Sequence, residues 1–248
     1  MYRVIGVYLL LAGMLFAENI QVAVAANVSY AMDDLKKRFE AEHPNTKVQV
    51  TVGSSGKLTA QIMHGAPYEV FLSANMKYPE ALYEKGLAAT KPKVYAQGLL
   101  ALMSMKSRDF TEGLKIITSE KIRKIAMANP KTAPYGIATQ EVLDKSGLYA
   151  EVKPKLVFGE SVGQTLSYAM RATDVGFVAM SSLYSPKLRQ LKQGKEWIAI
   201  EPSLYSPIKQ GIVLLKKGEK SSGAKAFYDF MLGEKARAIL KAYGYQLP

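Results

Sequence analysis

The sequence predicts an α/β protein of two lobes with a ligand cleft between them, on three observations. Strand-like and helix-like stretches alternate from residue 20 onward. The alternation resets near residue 98, and the chain returns near residue 208 to an apolar strand and terminal helices. A β-α-β-α-β-α order implies a largely parallel sheet. A chain that leaves one lobe and comes back crosses twice, and the cleft between the lobes is a natural ligand site.

Each element has its own pattern. "IQVAVAA" is a buried-strand run, and "SYAMDDLKKRFEAEH" then puts Met32, Leu35 and Phe39 on one helical face. "KVQVTV" alternates as a strand. "KLTAQIMHG" follows as a short helix with Leu58 and Ile62 four apart, stopped by Gly65. "YEVFLSA" is a strand and "MKYPEALYEKGL" a helix. In the second half, "GLLALMSM" and "RKIAMANP" are strands and "YGIATQEVLDKSG" is a helix carrying Ile137, Val142 and Leu143. "KLVFGES", "VGQTLSYAMRA" and "VGFVAMSS" continue as strand, helix, strand. "WIAIEPSLYSPIKQGIVLLKKG" leads back through prolines to an apolar strand. "SGAKAFYDFMLGEKARAILKAYG" is helical, with Phe227, Phe230 and Met231 on one face and a break at Gly233. The expected boundaries are a signal peptide at 1–17, a first lobe from 18–98 and 208–248, and a second lobe at 99–207.

Composition narrows the chemistry. The chain has 248 residues, 48% of them apolar, which suffices for a core in one large domain or two smaller lobes. With no cysteine, disulfides, thiolate nucleophiles and zinc–thiolate sites are excluded. His43 and His64 are the two histidines, each beside a helix end, and read as surface or capping residues. The formal charge is +12, but basic residues are interspersed with acids, as in "DDLKKRFEAEH", which describes a solvated surface and no nucleic-acid footprint. Asp33-Asp34 and Glu40-Glu42 lack the spacing of a carboxylate metal site. At the N-terminus, Arg3, an apolar run from Val4 to Phe16 and Ala17 fit a signal peptide cleaved after Ala17, with a retained anchor as the alternative.

Four stretches share one arrangement, an apolar strand ending in small or polar residues before a helix: Ala25-Ala26-Asn27, Gly53-Ser54-Ser55-Gly56, Ala133-Pro134-Tyr135-Gly136 and Glu160-Ser161-Val162-Gly163. The carboxyl ends of strands line the crevice of open α/β sheets, and helix N-termini there present unpaired N–H groups and a positive dipole end. Converging, they would cage a small anion without a charged side chain. The Ser55 hydroxyl and the Asn27 amide can donate, whereas Val162 can contribute only its backbone N–H. Each element alone is also a plain cap or turn; the repetition favours a site. Gly53-Ser54-Ser55-Gly56-Lys57 is not a nucleotide P-loop, because only two residues separate its first glycine from Gly-Lys and Leu58 follows the lysine.

Taken in order, "VAVAANVSYAMDDLKKRFE", "VGSSGKLTAQIMHGAPYEVFLSAN", "IAMANPKTAPYGIATQEVL", "SVGQTLSYA", "VGFVAMSS" and "AKAFYDFMLGEKARAILKAYGY" resemble the periplasmic molybdate-binding proteins of ABC importers over residues 20–247. The resemblance implies a type II periplasmic binding fold and an exported, periplasmic, monomeric, non-enzymatic carrier with no cofactor. It implies molybdate or tungstate as ligand and a membrane permease as partner; sulfate or another tetrahedral oxyanion is the alternative ligand. It places the contacts on Ala26, Asn27, Ser55, Tyr135 and Val162. The sequence departs from the enteric pattern, which has serine at the position of Asn27, alanine at that of Tyr135, and an anion-contacting tyrosine at that of Ala179. The expectation is that the Tyr135 hydroxyl replaces the one Ala179 lacks.

Overall fold

The computed structural model describes residues 17–248, so the apolar run expected to be a signal peptide lies outside the described residues. Two five-stranded sheets organise the chain. The first contains β1 (Glu18–Ala25), β2 (Thr46–Gly53), β3 (Val70–Ser73), β4 (Lys93–Gly98) and, from much later in sequence, β10 (Ile208–Leu214), in the order β2-β1-β3-β10-β4. The second contains β5 (Leu100–Met103), β6 (Ile125–Ala128), β7 (Leu156–Gly159), β8 (Val175–Ala179) and β9 (Trp197–Ala199), in the order β7-β6-β8-β5-β9.

The helices follow from apolar stripes. α1 (Met32–Glu42) buries Met32, Leu35 and Phe39, the face expected from spacing, after a 3-10 turn at Ser29–Ala31. α2 (Ser55–Met63) and α3 (Lys77–Glu84) cover the other face of the first sheet, where Leu58, Ile62 and Leu82 join Phe71 in one cluster. In the second sheet's half, α4 (Pro134–Lys145), α5 (Tyr149–Val152), α6 (Val162–Arg171) and α7 (Met180–Leu183) follow the strands in turn. The C-terminal stretch breaks at Gly233 into α8 (Ser222–Leu232) and α9 (Glu234–Ala242). Phe227 of α8 meets Phe39 edge-on at 5.2 Å, and burying each such aromatic contributes about 1.5–3 kcal/mol.

The structure departs from expectation in two places. Both sheets are mixed: in the second, β5 runs antiparallel to β8 and β9 while β6 is parallel to β7 and β8, and in the first, β1 runs parallel to β2 and β3 while β10 runs antiparallel to β3 and β4. The strand that re-enters from the second sheet arrives at the opposite end from a strand fed by a local helix, so its direction is reversed. The other is β4, which sequence patterning did not mark: Val94 and Ala96 alternate too weakly to signal a strand, and pairing with β10 organises it.

Two connections join the sheets. Leu99 links β4 to β5, and residues 200–207 link β9 to β10. The carboxyl ends of β1, β2, β3, β6 and β7 consequently face one shared cleft, and one apolar cluster runs across it, joining Ala25, Ala26 and Ala74 to Tyr135 and Val162.

Candidate functional site

The small-residue turns meet there. One cavity is lined by Ala25, Ala26 and Asn27 after β1, Ser54 and Ser55 after β2, Ala74 after β3, Ala133, Pro134 and Tyr135 at the start of α4, and Ser161 and Val162 at the start of α6. All five residues singled out in the sequence, Ala26, Asn27, Ser55, Tyr135 and Val162, are in its wall. Ala74 escaped sequence reasoning, although it too follows a strand end. The cavity volume is about 10 Å³, room for little more than the centre of one water-sized sphere. Pockets for organic ligands run to roughly 300–1,000 Å³, so only an occupant of a few atoms fits.

The wall is neutral and rich in donors. No charged side chain lines it. Among the described residues, the backbone N–H groups of Asn27, Ser55, Tyr135 and Val162 make no hydrogen bond. Three of these open helices of nine, twelve and ten residues, whose first N–H groups have no partner within the helix. Their dipoles favour negative charge at that end.

Local sequence sets each turn. The Ser54 hydroxyl caps α2 by accepting from the Lys57 N–H, and the Ser161 hydroxyl caps α6 by accepting from the Gln164 N–H. Pro134 begins α4, where its fixed φ suits a first helical turn. The Ser55 hydroxyl accepts from the Ala74 N–H at 2.9 Å, leaving its own proton to donate.

Tyr135 reaches through the wall. Its ring is 1% exposed, and its hydroxyl lies against Gly98 at the end of β4, where a Cβ would collide with it. That hydroxyl has no hydrogen-bond partner, and burial pushes the phenol well above its usual pKa, so it stays neutral. Ala179 ends β8 and brings no polar group.

Contacts between elements of the two sheets hold the cleft shut. The Gly56 N–H donates to the Thr132 carbonyl at 3.0 Å, an approach close enough that a Cβ on Gly56 would sit 2.9 Å from that oxygen. The Ser181 hydroxyl donates to the Asn27 carbonyl at 3.0 Å. Lys57 pairs with Glu160 at 2.7 Å on the rim and stays out of the cavity wall. Both ends of that pair are more than half exposed, so it contributes at most about 1 kcal/mol.

Elsewhere, His43 closes α1 with its ring stacked on Phe39, and His64 closes α2. Among the described residues no group of three or more histidine or carboxylate side chains could hold a metal ion, and no helix is long and apolar enough to cross a membrane. A larger hollow of about 470 Å³ between α1, α8 and α9 mixes Glu42, Asp229 and Glu234 with Lys235, which pairs with Glu42 at 2.7 Å, and lies apart from the strand-end turns.

Two five-stranded sheets joined by two crossovers and closing on a small cavity are the architecture of a two-lobed binding protein. The chain belongs to the bacterial extracellular solute-binding protein family, whose model matches residues 20–246. Within it, the chain is 40% identical to the molybdate-binding protein ModA of Azotobacter vinelandii, over 96% of this chain and 94% of that protein. It is 36% identical to ModA of Rhodobacter capsulatus, over 92% and 88%. Among solved structures it matches the periplasmic molybdate-binding protein of Azotobacter vinelandii with a TM-score of 0.86 at 35% identity, covering 92% of this chain and 99% of that one. A sulfate-binding protein of Mycobacterium tuberculosis shares the fold at a TM-score of 0.72 and 11% identity.

Proposed function

We propose that the protein captures molybdate, and tungstate with it, outside the cytoplasm and hands it to an ABC importer permease, working as a monomer without chemistry on its cargo. The observation that carries this is the cavity itself: a few-atom space walled by four unpaired backbone N–H groups and the Ser55 hydroxyl, with no charge of its own. Hydrogen bonds to an ionised acceptor are short and strong, and a closed, dry cleft strengthens them. A dianion held this way needs no counter-charge. A fixed set of donors discriminates by size, which separates molybdate from the equally charged sulfate. The kinship with proteins named for molybdate supports that choice.

In this reading residues 18–98 and 208–248 form one lobe and 99–207 the other, hinged at residue 99 and at 200–207, with cleavage after Ala17 releasing the chain. Asn27, Ser55, Tyr135 and Val162 each give a backbone N–H, Ser55 adds its hydroxyl, and Ala26 supplies close-packed wall. Tyr135 acts through its N–H and not its hydroxyl. Opening of the hinge releases the anion.

The test is a thermal-shift titration with molybdate, tungstate, sulfate, phosphate and chromate. A ligand at 100 times its Kd adds about 2.7 kcal/mol to stability, so molybdate and tungstate should raise Tm by several degrees. A sulfate response equal to that of molybdate would overturn the assignment.

A further inference from the structure

Behind the cavity wall, Asn27 sits in a buried polar cluster drawn from distant parts of the chain. It is fully buried. Its side-chain Nδ2 donates to Gln210 Oε1 at 2.8 Å and to the Tyr245 hydroxyl at 2.9 Å, which uses both amide hydrogens. Its backbone carbonyl accepts from the Tyr245 hydroxyl at 2.9 Å and from the Ser181 hydroxyl at 3.0 Å. Gln210 cannot reverse its amide freely, because its Nε2 donates to the Ile208 carbonyl at 3.0 Å. That keeps Oε1 turned to Asn27 and makes Nδ2 the group Asn27 must present. Asn27 Oδ1 is left without a donor, as expected of an amide oriented by the two partners it supplies. What remains open on Asn27 is its backbone N–H, which faces no protein acceptor.

We infer that Gln210, Tyr245 and Ser181 are positioning residues for anion capture: they clamp Asn27 so that its backbone N–H is held ready for the ligand, and Ser181 completes the clamp only when the lobes are closed. The inference rests on the cavity being an anion cage. Gln210 lies on β10 and Tyr245 near the C-terminus, both in the half of the molecule that carries Asn27, so they set the turn in either lobe arrangement. Ser181 lies in α7, the short helix that follows β8 of the other sheet, so its bond to the Asn27 carbonyl spans the cleft. Tyr245 also lies 3.3 Å from the Ser181 oxygen, joining the permanent part of the clamp to the closing part. Donors fixed before the ligand arrives lose no freedom on binding, which is how preorganisation raises affinity.

Calorimetry with molybdate tests the clamp on the parent protein, Tyr245→Phe, Gln210→Met and, as a control, Tyr228→Phe. Tyr228 is a buried tyrosine of α8 whose hydroxyl has no partner, so its loss should leave the affinity alone. Tyr245→Phe and Gln210→Met should each weaken binding about tenfold, because a turn that is no longer clamped must be ordered at the ligand's expense. Stopped-flow kinetics on Ser181→Ala supply a readout that a general loss of stability would not give: dissociation should quicken about tenfold while association stays unchanged, because the lost bond forms only on closure. If the parent binds molybdate and Tyr245→Phe binds it as tightly, with Ser181→Ala showing no faster release, the clamp is wrong and the function stands. A parent that binds no molybdate sinks both. Should Gln210→Met fail to fold, the other two variants decide the matter.

Discussion

Tyr135 carries two separable polar groups, a backbone N–H at the cavity where α4 begins and a hydroxyl that its ring carries away from it to Gly98. The hydroxyl has no partner beside Gly98, and an unpartnered buried hydroxyl costs about 1–3 kcal/mol. Tyr135→Phe should therefore leave molybdate affinity unchanged and raise stability slightly, measured by calorimetry and by urea denaturation. A loss of about tenfold, the worth of one bond to a charged acceptor, would return the hydroxyl to the ligand. The sequence could say that Tyr135 belongs to the site, because it stands one residue after Pro134 at a strand-to-helix turn. It could not say which way the ring points, since Gly98 is 37 residues away and leaves no local trace. Asn27 teaches the same lesson. Its position after β1 was legible, but its amide is held by Gln210 and Tyr245, 183 and 218 residues distant, so a side chain that reads as a ligand donor is turned into the structure behind it.

At the scale of elements, helix spacing was the most legible feature and strand pairing the least. Met32, Leu35 and Phe39 fixed the buried face of α1, and Gly233 divided α8 from α9 as the pattern suggested. The reversed β10 and the weakly patterned β4 depend on each other, and a pairing across more than a hundred residues has no local signature. One further long-range device ties β1 to α8. Glu18, the first residue of β1, accepts from the Ser221 hydroxyl at 2.6 Å, the Gly223 N–H at 2.9 Å and the Ser222 hydroxyl at 3.1 Å, and so serves the N-terminus of α8. The Ser221 hydrogen bond leads the causes that hold this carboxyl below its ordinary value of 4.5. A folded-state pKa below the unfolded one means stabilisation that is present above the unfolded value and lost as pH falls through the folded one. Glu18→Gln should thus lower Tm near neutral pH, and the gap from the parent should close as the pH drops below about 4. Differential scanning calorimetry across that range would show it; a gap that persisted undiminished into acid would remove the ionised cap from the explanation.

For the proposed anion carrier, the whole molecule separates how the anion would arrive from how it would be held. The cage contains no charged side chain, and Lys57 and Glu160, on the rim, compensate each other. The chain as a whole carries a formal +12. That excess is spread over the surface, so it acts on the approaching dianion as a long-range field and contributes nothing directional inside the closed cleft. A field of this kind speeds association and is screened by salt, whereas dipolar hydrogen bonds in a water-excluded cavity are not. Raising ionic strength from about 0.01 to about 1 M shortens the screening length from about 30 to about 3 Å. Over that range the association rate for molybdate should fall several-fold while the dissociation rate stays constant, followed by stopped-flow fluorescence of Trp197, the single tryptophan of the chain. A cage that relied on cationic side chains would instead release its ligand faster in high salt. Salt-dependent dissociation is accordingly the outcome that would contradict binding by backbone dipoles, independently of which oxyanion proves to be the preferred cargo.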